Sequence, residues 1–375
     1  MKSTINSVLR IRSETRGDVL ATFNKFKAVQ DIPCEDIECR IIDRENLELT
    51  IRYPLEVFDR TVTHFMAVLF GELPYMRGLN SLRFMRLELP EEVFAWFGGP
   101  KFGVDGIKRR FGFDEFPFLM SIIKPSVDLS RDKPAQERKL SGPLEAGFHA
   151  VKDDEASGNV GNLTVSDRVS LAARHKGYVP AINLDTYEDF ELILSDERLS
   201  MVILNASIIG FPLLNRLRKI TKVPILSHLS LQGTFNQSFS PGLYAFLHRL
   251  FGCDAFIIAI GDSGYYGASK QDELDMVESV TSHLPIRRTL PLLAGGARLH
   301  NIEGIMAPYE RGNIPYGLVF GSLIFNSAQS PGIMAGQVVE FLSSSRFSRA
   351  KSRHRKSFRA PVIEAPGYSG APLQG

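Results

Sequence analysis

Across residues 113–325 the chain repeats one pattern. Short runs of consecutive apolar residues alternate with longer segments whose apolar positions recur at helical spacing. The runs are FLMSIIK (118–124), AGFHAVK (146–152), YVPAINL (178–184), MVILNA (201–206), VPILSH (223–228), AFIIAIG (255–261), PLLAGG (291–296) and GLVFGS (317–322). Strands with one wet face alternate apolar and polar residues. Runs that stay apolar on successive residues fit parallel strands covered on both faces. Between them, GFPLLNRLRKIT and GLYAFLHRLFG have the spacing of amphipathic helices. Eight β/α units predict an α/β fold, a (β/α)8 TIM barrel. An open doubly wound sheet is the alternative, but no G-x-G-x-x-G follows the first strand.

The pattern before residue 100 differs. VLATFNKFKA (19–28), LELTIRYPLEVF (47–58) and SLRFMRLEL (81–89) read as strands, and RTVTHFMAVLFG (60–71) reads as a helix. This predicts a short α+β, ferredoxin-like N-terminal domain over residues 1–105. The barrel then occupies 106–345 and a basic tail 346–375.

Charge sharpens the last boundary. The net charge is +2, yet RFSRAKSRHRKSFR (346–359) holds seven Lys and Arg and no acid. The body is therefore mildly acidic, and the tail is expected to be disordered. Such a tail could contact nucleic acid or another anionic surface, but a solubilising extension is the more economical reading. Cys34, Cys39 and Cys253 are too few and scattered for a disulfide framework or a structural zinc site. No apolar core of a secretory signal opens the chain. The longest apolar stretch, MVILNASIIGFPLL, is broken by Asn205 and Ser207 and is too short to span a bilayer. These features predict a cytoplasmic protein with no membrane contact.

In a TIM barrel, side chains at the C-terminal strand ends build the active site. Those residues are Lys124, Lys152 with Asp154 and Glu155, Asn183, Asn205, His228, Asp262, the pair Gly295–Gly296, and Gly321 with Ser322. An amine buried at a strand end loses its proton more readily, and a neutral amine can add carbon dioxide to become a carbamate. With Asp154 and Glu155, a carbamate on Lys152 would make an all-oxygen site suited to Mg²⁺. Taken alone, K-D-D-E more readily suits a solvated loop after a strand. The glycine pairs offer bare backbone N–H groups after strands seven and eight, where phosphate often binds, although tight turns also need glycine.

The motifs together are similar to the ribulose-bisphosphate carboxylase large chain and its non-carboxylating relatives, the RuBisCO-like proteins. SIIKPSVDLS followed by AGFHAVKDDE resembles their first two barrel strands. IRYPLEVFD, PILSHLSLQGTFNQSFSPG, HRLFGCDAFIIAIGDSGYYG and LPLLAGG extend the likeness over residues 50–335. FGGPKFGVDGIKRRFG most resembles the 2,3-diketo-5-methylthiopentyl-1-phosphate enolases. The resemblance implies a carbamylated Lys152 that binds Mg²⁺ with Asp154 and Glu155. It also implies a proton-transfer role for Lys124, an active-site His228, and substrate phosphate at Gly295, Gly296, Gly321 and Ser322. Glu72 falls where these enolases carry a catalytic lysine, and the family builds its site across a homodimer.

The departures bear on activity. Ser126 replaces a second lysine, Leu229 an arginine and Gln232 a histidine. The loop GDSGYYGAS after strand six has no lysine; Tyr266 lies near its place, and Lys270 is too far along. Without that cation, the charge of an added carboxylate has no fixed partner. The strand-eight loop is changed, and the Thr-Trp segment between Ala28 and Leu47 is missing. The expectation is Mg²⁺-dependent enolisation or isomerisation of a small phosphorylated ketose or diketone, without CO₂ fixation. The alternatives are decarboxylation of a phosphorylated oxo-acid, or a degenerate barrel serving as a scaffold.

Overall fold

The computed structural model describes residues 3–12, 19–21, 24, 36–42, 46–75, 81–124, 133–159 and 164–353. Four strands form the N-terminal sheet: β1 (Thr4–Arg12), β2 (Asp36–Ile41), β3 (Asn46–Pro54) and β4 (Arg83–Glu88), in the antiparallel order β2-β3-β1-β4. In β3, Leu47, Leu49, Ile51 and Tyr53 turn inward on every second residue, as a sheet with one covered face requires. Helices Val62–Phe70 and Glu91–Phe97 cover that face.

The strand expected over 19–28 is not there. Residues 19–21 and 24 are helical, and the rest of that segment lies outside the described residues. Leu20 and Ala21 are strong helix formers and outweigh the β-prone Val19 there. The strand beside β3 is instead Thr4–Arg12, where Asn6, Ser7 and Arg10 dilute the apolar signal.

All eight barrel runs form strands: β5 (Phe118–Ile122), β6 (Ala150–Lys152), β7 (Tyr178–Val179), β8 (Val202–Leu204), β9 (Ile225–Ser227), β10 (Ala255–Ala259), β11 (Leu290–Ala294) and β12 (Gly317–Phe320). They pair in parallel, with β12 beside β5. A bridge from Ala181 to Ile203 joins β7 to β8 and closes the ring. Phe118, Met120, Ala150, Ile257 and Leu292 fill the interior, so the barrel is a packed core with chemistry only at its rim.

The two domains share packing. Phe84 bonds through its backbone to Ser238 and Ser240, and its ring packs against Phe70 and Phe239. At the opposite end of the barrel, Asp254 fastens the linker. It is fully buried, and its carboxylate accepts N–H bonds from Phe102 (2.6 Å), Gly103 (2.7 Å) and Ile225 (2.9 Å). Asp254→Ala would leave those three donors unpaired. The expected loss is about 2–4 kcal/mol of unfolding free energy, read by urea denaturation.

The last helix runs Pro331–Arg353. Residues 346–353 are therefore helical, against the expectation of disorder from 346 onward. The preceding apolar helix extends through them, since Arg, Lys and Ser in short runs do not break a helix already formed. Residues 354–375, with the rest of the basic segment, lie outside the described residues, as does Cys34. Cys39 and Cys253 are buried free thiols. Among the described residues no helix is long and apolar enough to cross a membrane.

Candidate active site at the barrel mouth

Lys152 is the last residue of β6. Ala150 lines the barrel interior, so Lys152, two residues on, shares that inward face. Its exposure is 0%, and its Nζ donates to the Asp153 carbonyl at 2.8 Å. Burial lowers its pKa below the ordinary lysine value, with Lys124 adding to the effect; the charges of Glu155, Asp154 and Asp153 oppose it. The result is an amine biased towards its neutral, nucleophilic form.

The three acids after it have different tasks. Asp153 is buried and faces away from solvent. It accepts the Tyr178 hydroxyl at 2.6 Å and the Ala181 N–H at 3.0 Å, and Arg168 Nε lies 3.0 Å from its Oδ2. Burial pushes its carboxyl above the usual range, and these three partners oppose that. Arg168 also donates to the carbonyls of Gly158 and Ala181. Asp153 thus fixes the turn that aims its neighbours. Neither Asp153 nor Arg168 was singled out from sequence. The signal was present: Arg168 sits between Val165 and Leu171 on the buried face of helix Val165–Arg174.

Asp154 is half-buried and takes the Lys124 ammonium at 2.5 Å and the Ala156 N–H at 3.2 Å. Burial works against its charge, but the Lys124 contact outweighs it and holds the carboxyl below the usual range. Burial likewise disfavours the Lys124 ammonium. Its bond to Asp154 and the charge of Glu155 win, so its pKa is raised. Glu155 places Oε2 3.2 Å from His228 Nε2. Its backbone carbonyl accepts from Asn183 at 2.9 Å and Asn205 at 3.0 Å, and Ser230 steadies Asn205. The strand-end asparagines therefore hold the acidic loop. His228 is buried, and burial, reinforced by Lys152 and Lys124, holds its pKa well below the ordinary value against the pull of Asp154. Its imidazole is neutral.

Lys124, Lys152, Asp154, Glu155 and His228 thus form one cluster. Gly321 joins it, since a Cβ there would lie 4.0 Å from Lys124 Cε. Ser322 opens the short helix Ser322–Phe325 and, among the described residues, has no hydrogen bond to the cluster. Gly295 and Gly296 take positive φ values of 87° and 94° and lie under the loop after β10. Asp262 closes that loop, accepting the Lys270 N–H at 3.3 Å. Leu229 packs against the barrel interior, and Gln232 is buried with its Nε2 against Met276. Glu72 is exposed after helix Val62–Phe70 and has no hydrogen bond or ion pair with the cluster among the described residues. Ser126 lies outside the described residues.

Among the described residues, no group of three or more His, Cys, Asp or Glu side chains is assembled to hold a metal. Asp154 and Glu155 supply two carboxylates. A third oxygen donor from this cluster requires the Lys152 amine to be converted into one.

The fold and the motifs have counterparts in known proteins. No protein-family model matches the chain. A ribulose bisphosphate carboxylase-like protein 2 of Rhodopseudomonas palustris is 24% identical over 311 residues, 77% of this chain and 70% of that one. A 2,3-diketo-5-methylthiopentyl-1-phosphate enolase of Geobacillus kaustophilus is 28% identical over 268 residues, 66% of this chain and 63% of that one. Among solved structures, a dimeric archaeal Rubisco from Hyperthermus butylicus superposes with a TM-score of 0.80 at 16% identity, covering 93% of this chain and 92% of that one. The expected fold, a barrel behind a small α+β domain, is borne out, and so is the resemblance to RuBisCO-like proteins.

Proposed function

We propose that this relative of the RuBisCO-like proteins enolises or isomerises a small phosphorylated ketose or diketone and does not fix carbon dioxide. One observation carries the reading: a fully buried amine, Lys152, is held at the barrel mouth beside two outward-facing carboxylates. Nothing in a packed core requires a lysine there, and burying one is costly without a function.

The donor set fits Mg²⁺. Lys152 as its carbamate, Asp154 and Glu155 would hold the ion, whose chemistry would be to polarise a substrate carbonyl. The remaining roles belong to the chain. His228 is buried with Nε2 3.2 Å from Glu155 Oε2, within reach for proton transfer at the barrel mouth. Lys124 is a charged ammonium beside Asp154 and Gly321, so it can return one. Gly295, Gly296 and Gly321 would receive the substrate phosphate through backbone N–H groups. The loop GDSGYYGAS lacks a lysine to neutralise a new carboxylate, which argues against carboxylation. The active unit in this reading is a homodimer, with the exposed Glu72 free to approach a partner's site.

The test is a wash-in experiment. Purified protein with Mg²⁺, bicarbonate and 2,3-diketo-5-methylthiopentyl 1-phosphate or a ketose phosphate in D₂O should incorporate deuterium next to the carbonyl, read by proton NMR. Mg²⁺ and bicarbonate together should raise the melting temperature, and either alone should not. Saturation at 100-fold over Kd corresponds to about 2.7 kcal/mol. No deuterium uptake and no thermal shift would count against the enzyme and in favour of a scaffold.

A further inference from the structure

We infer that the loop after β10 and an anionic ligand compete for the strand-seven glycines, so that Tyr266 must leave Gly295 before a phosphate group can bind there. The inference rests on the phosphate role proposed above for Gly295 and Gly296.

The loop already occupies both bare faces. A Cβ at Gly295 would lie 2.4 Å from Tyr266 Cε2 and 3.1 Å from Tyr265 Cδ1. At Gly296 it would lie 2.7 Å from Ser263 Cβ. The glycines are therefore seats for the loop as well as turn residues. A phosphate approaching these glycines from the side that lacks a Cβ would meet the same loop atoms.

The loop is fastened at its base and lightly held at its apex. Gly261 donates to the buried Glu273 at 2.7 Å, and Glu273 is held by Lys270 at 2.5 Å and by the Tyr309 hydroxyl. Asp262 N–H reaches the Ala268 carbonyl at 2.9 Å. The two legs pass so close that a Cβ on Gly261 would stand 2.3 Å from the Ser269 carbonyl oxygen. Between them, among the described residues, the hydrogen bond of 263–267 is Tyr265 N–H to Ser263 Oγ at 3.3 Å, a bond internal to the apex. Among the described residues the Tyr266 phenol has no hydrogen-bond partner; its ring packs edge-on to Tyr265 at 4.7 Å. Burial, then Tyr265, Glu155 and Asp154, push that phenol up to about 12, so it stays neutral on the acidic rim. Among the described residues, packing is what keeps the apex on the glycines. A bound anion, paired with backbone N–H groups, can displace it while the Glu273 anchor stays in place.

The experiment is calorimetric titration of the full-length protein with inorganic phosphate, in Mg²⁺ and bicarbonate, for the wild type, Tyr266→Ala and Tyr266→Phe. Removing the ring frees the site, so Tyr266→Ala should bind phosphate at least about fivefold more tightly. Tyr266→Phe keeps the ring and should match the wild type. Phosphate should also speed amide exchange over 263–267 in the wild type without affecting Gly261. Measurable wild-type binding that Tyr266→Ala leaves unchanged or weakens would overturn the competition while leaving the phosphate site standing. No binding by any of the three proteins would instead remove the phosphate site, and the inference with it.

Discussion

Replacing Lys152 with methionine should abolish Mg²⁺-dependent stabilisation and lower enolisation by at least about 1,000-fold, while the protein stays folded. The rate loss follows from the several kcal/mol that a polarising metal contributes at roughly 1.4 kcal/mol per factor of ten. The stability expectation runs the other way. Lys152 is fully enclosed, and among the described residues its amine has one hydrogen bond, to the Asp153 carbonyl. Methionine fills nearly the same volume without an ionisable group, so unfolding free energy should change by less than about 1.5 kcal/mol or rise. A residue kept for packing would show the opposite: lost stability with metal response intact. Urea denaturation and melting curves with and without Mg²⁺ and bicarbonate separate the two outcomes.

Asp153→Ala should be the most destabilising single change at the site, costing about 3–5 kcal/mol. It removes the carboxylate that faces the buried Arg168 guanidinium, whose Nε lies 3.0 Å from Asp153 Oδ2. The Tyr178 hydroxyl and Ala181 N–H lose their acceptor as well. Removing both charges together, in Asp153→Ala with Arg168→Met, should cost less than the sum of the two single changes, since neither ion is then left alone. Denaturant titration of the four proteins measures the coupling. An additive cycle would mean that Asp153 and Arg168 act independently and that the K-D-D-E turn is held by something else.

Much of this architecture was legible in the chain because burial on both faces leaves a mark. Several of the eight barrel strands are consecutive apolar runs, and Lys124, Lys152, Asp154, Glu155 and His228 stand at the strand ends. Proximity along the rim then followed from topology alone. The N-terminal sheet was harder. Thr4–Arg12 carries polar residues on its solvent face and an inward Ser7, so its period is blurred. Residues 19–21 and 24 are helical although the sequence around them carries β-prone Val, Thr and Phe. Within the site, sequence supplied the three acids but not their separate tasks. That division depends on Tyr178 and Arg168 reaching Asp153 from 25 and 15 residues away, a contact that no local pattern encodes. The glycine pair was read as a phosphate cradle. Its packing against Tyr266 depends on the path of the neighbouring loop, which the letters GDSGYYGAS do not specify.

The proposed activity depends most on the chemistry of one nitrogen, Lys152 Nζ. Carbon-13 NMR of the protein with ¹³C-bicarbonate and Mg²⁺ observes it directly. The wild type should show one bound carbamate carbonyl that Lys152→Met lacks, and Mg²⁺ should slow its exchange with free carbon dioxide. A wild-type spectrum with no bound signal at saturating bicarbonate and Mg²⁺, or one that persists in Lys152→Met, would contradict it.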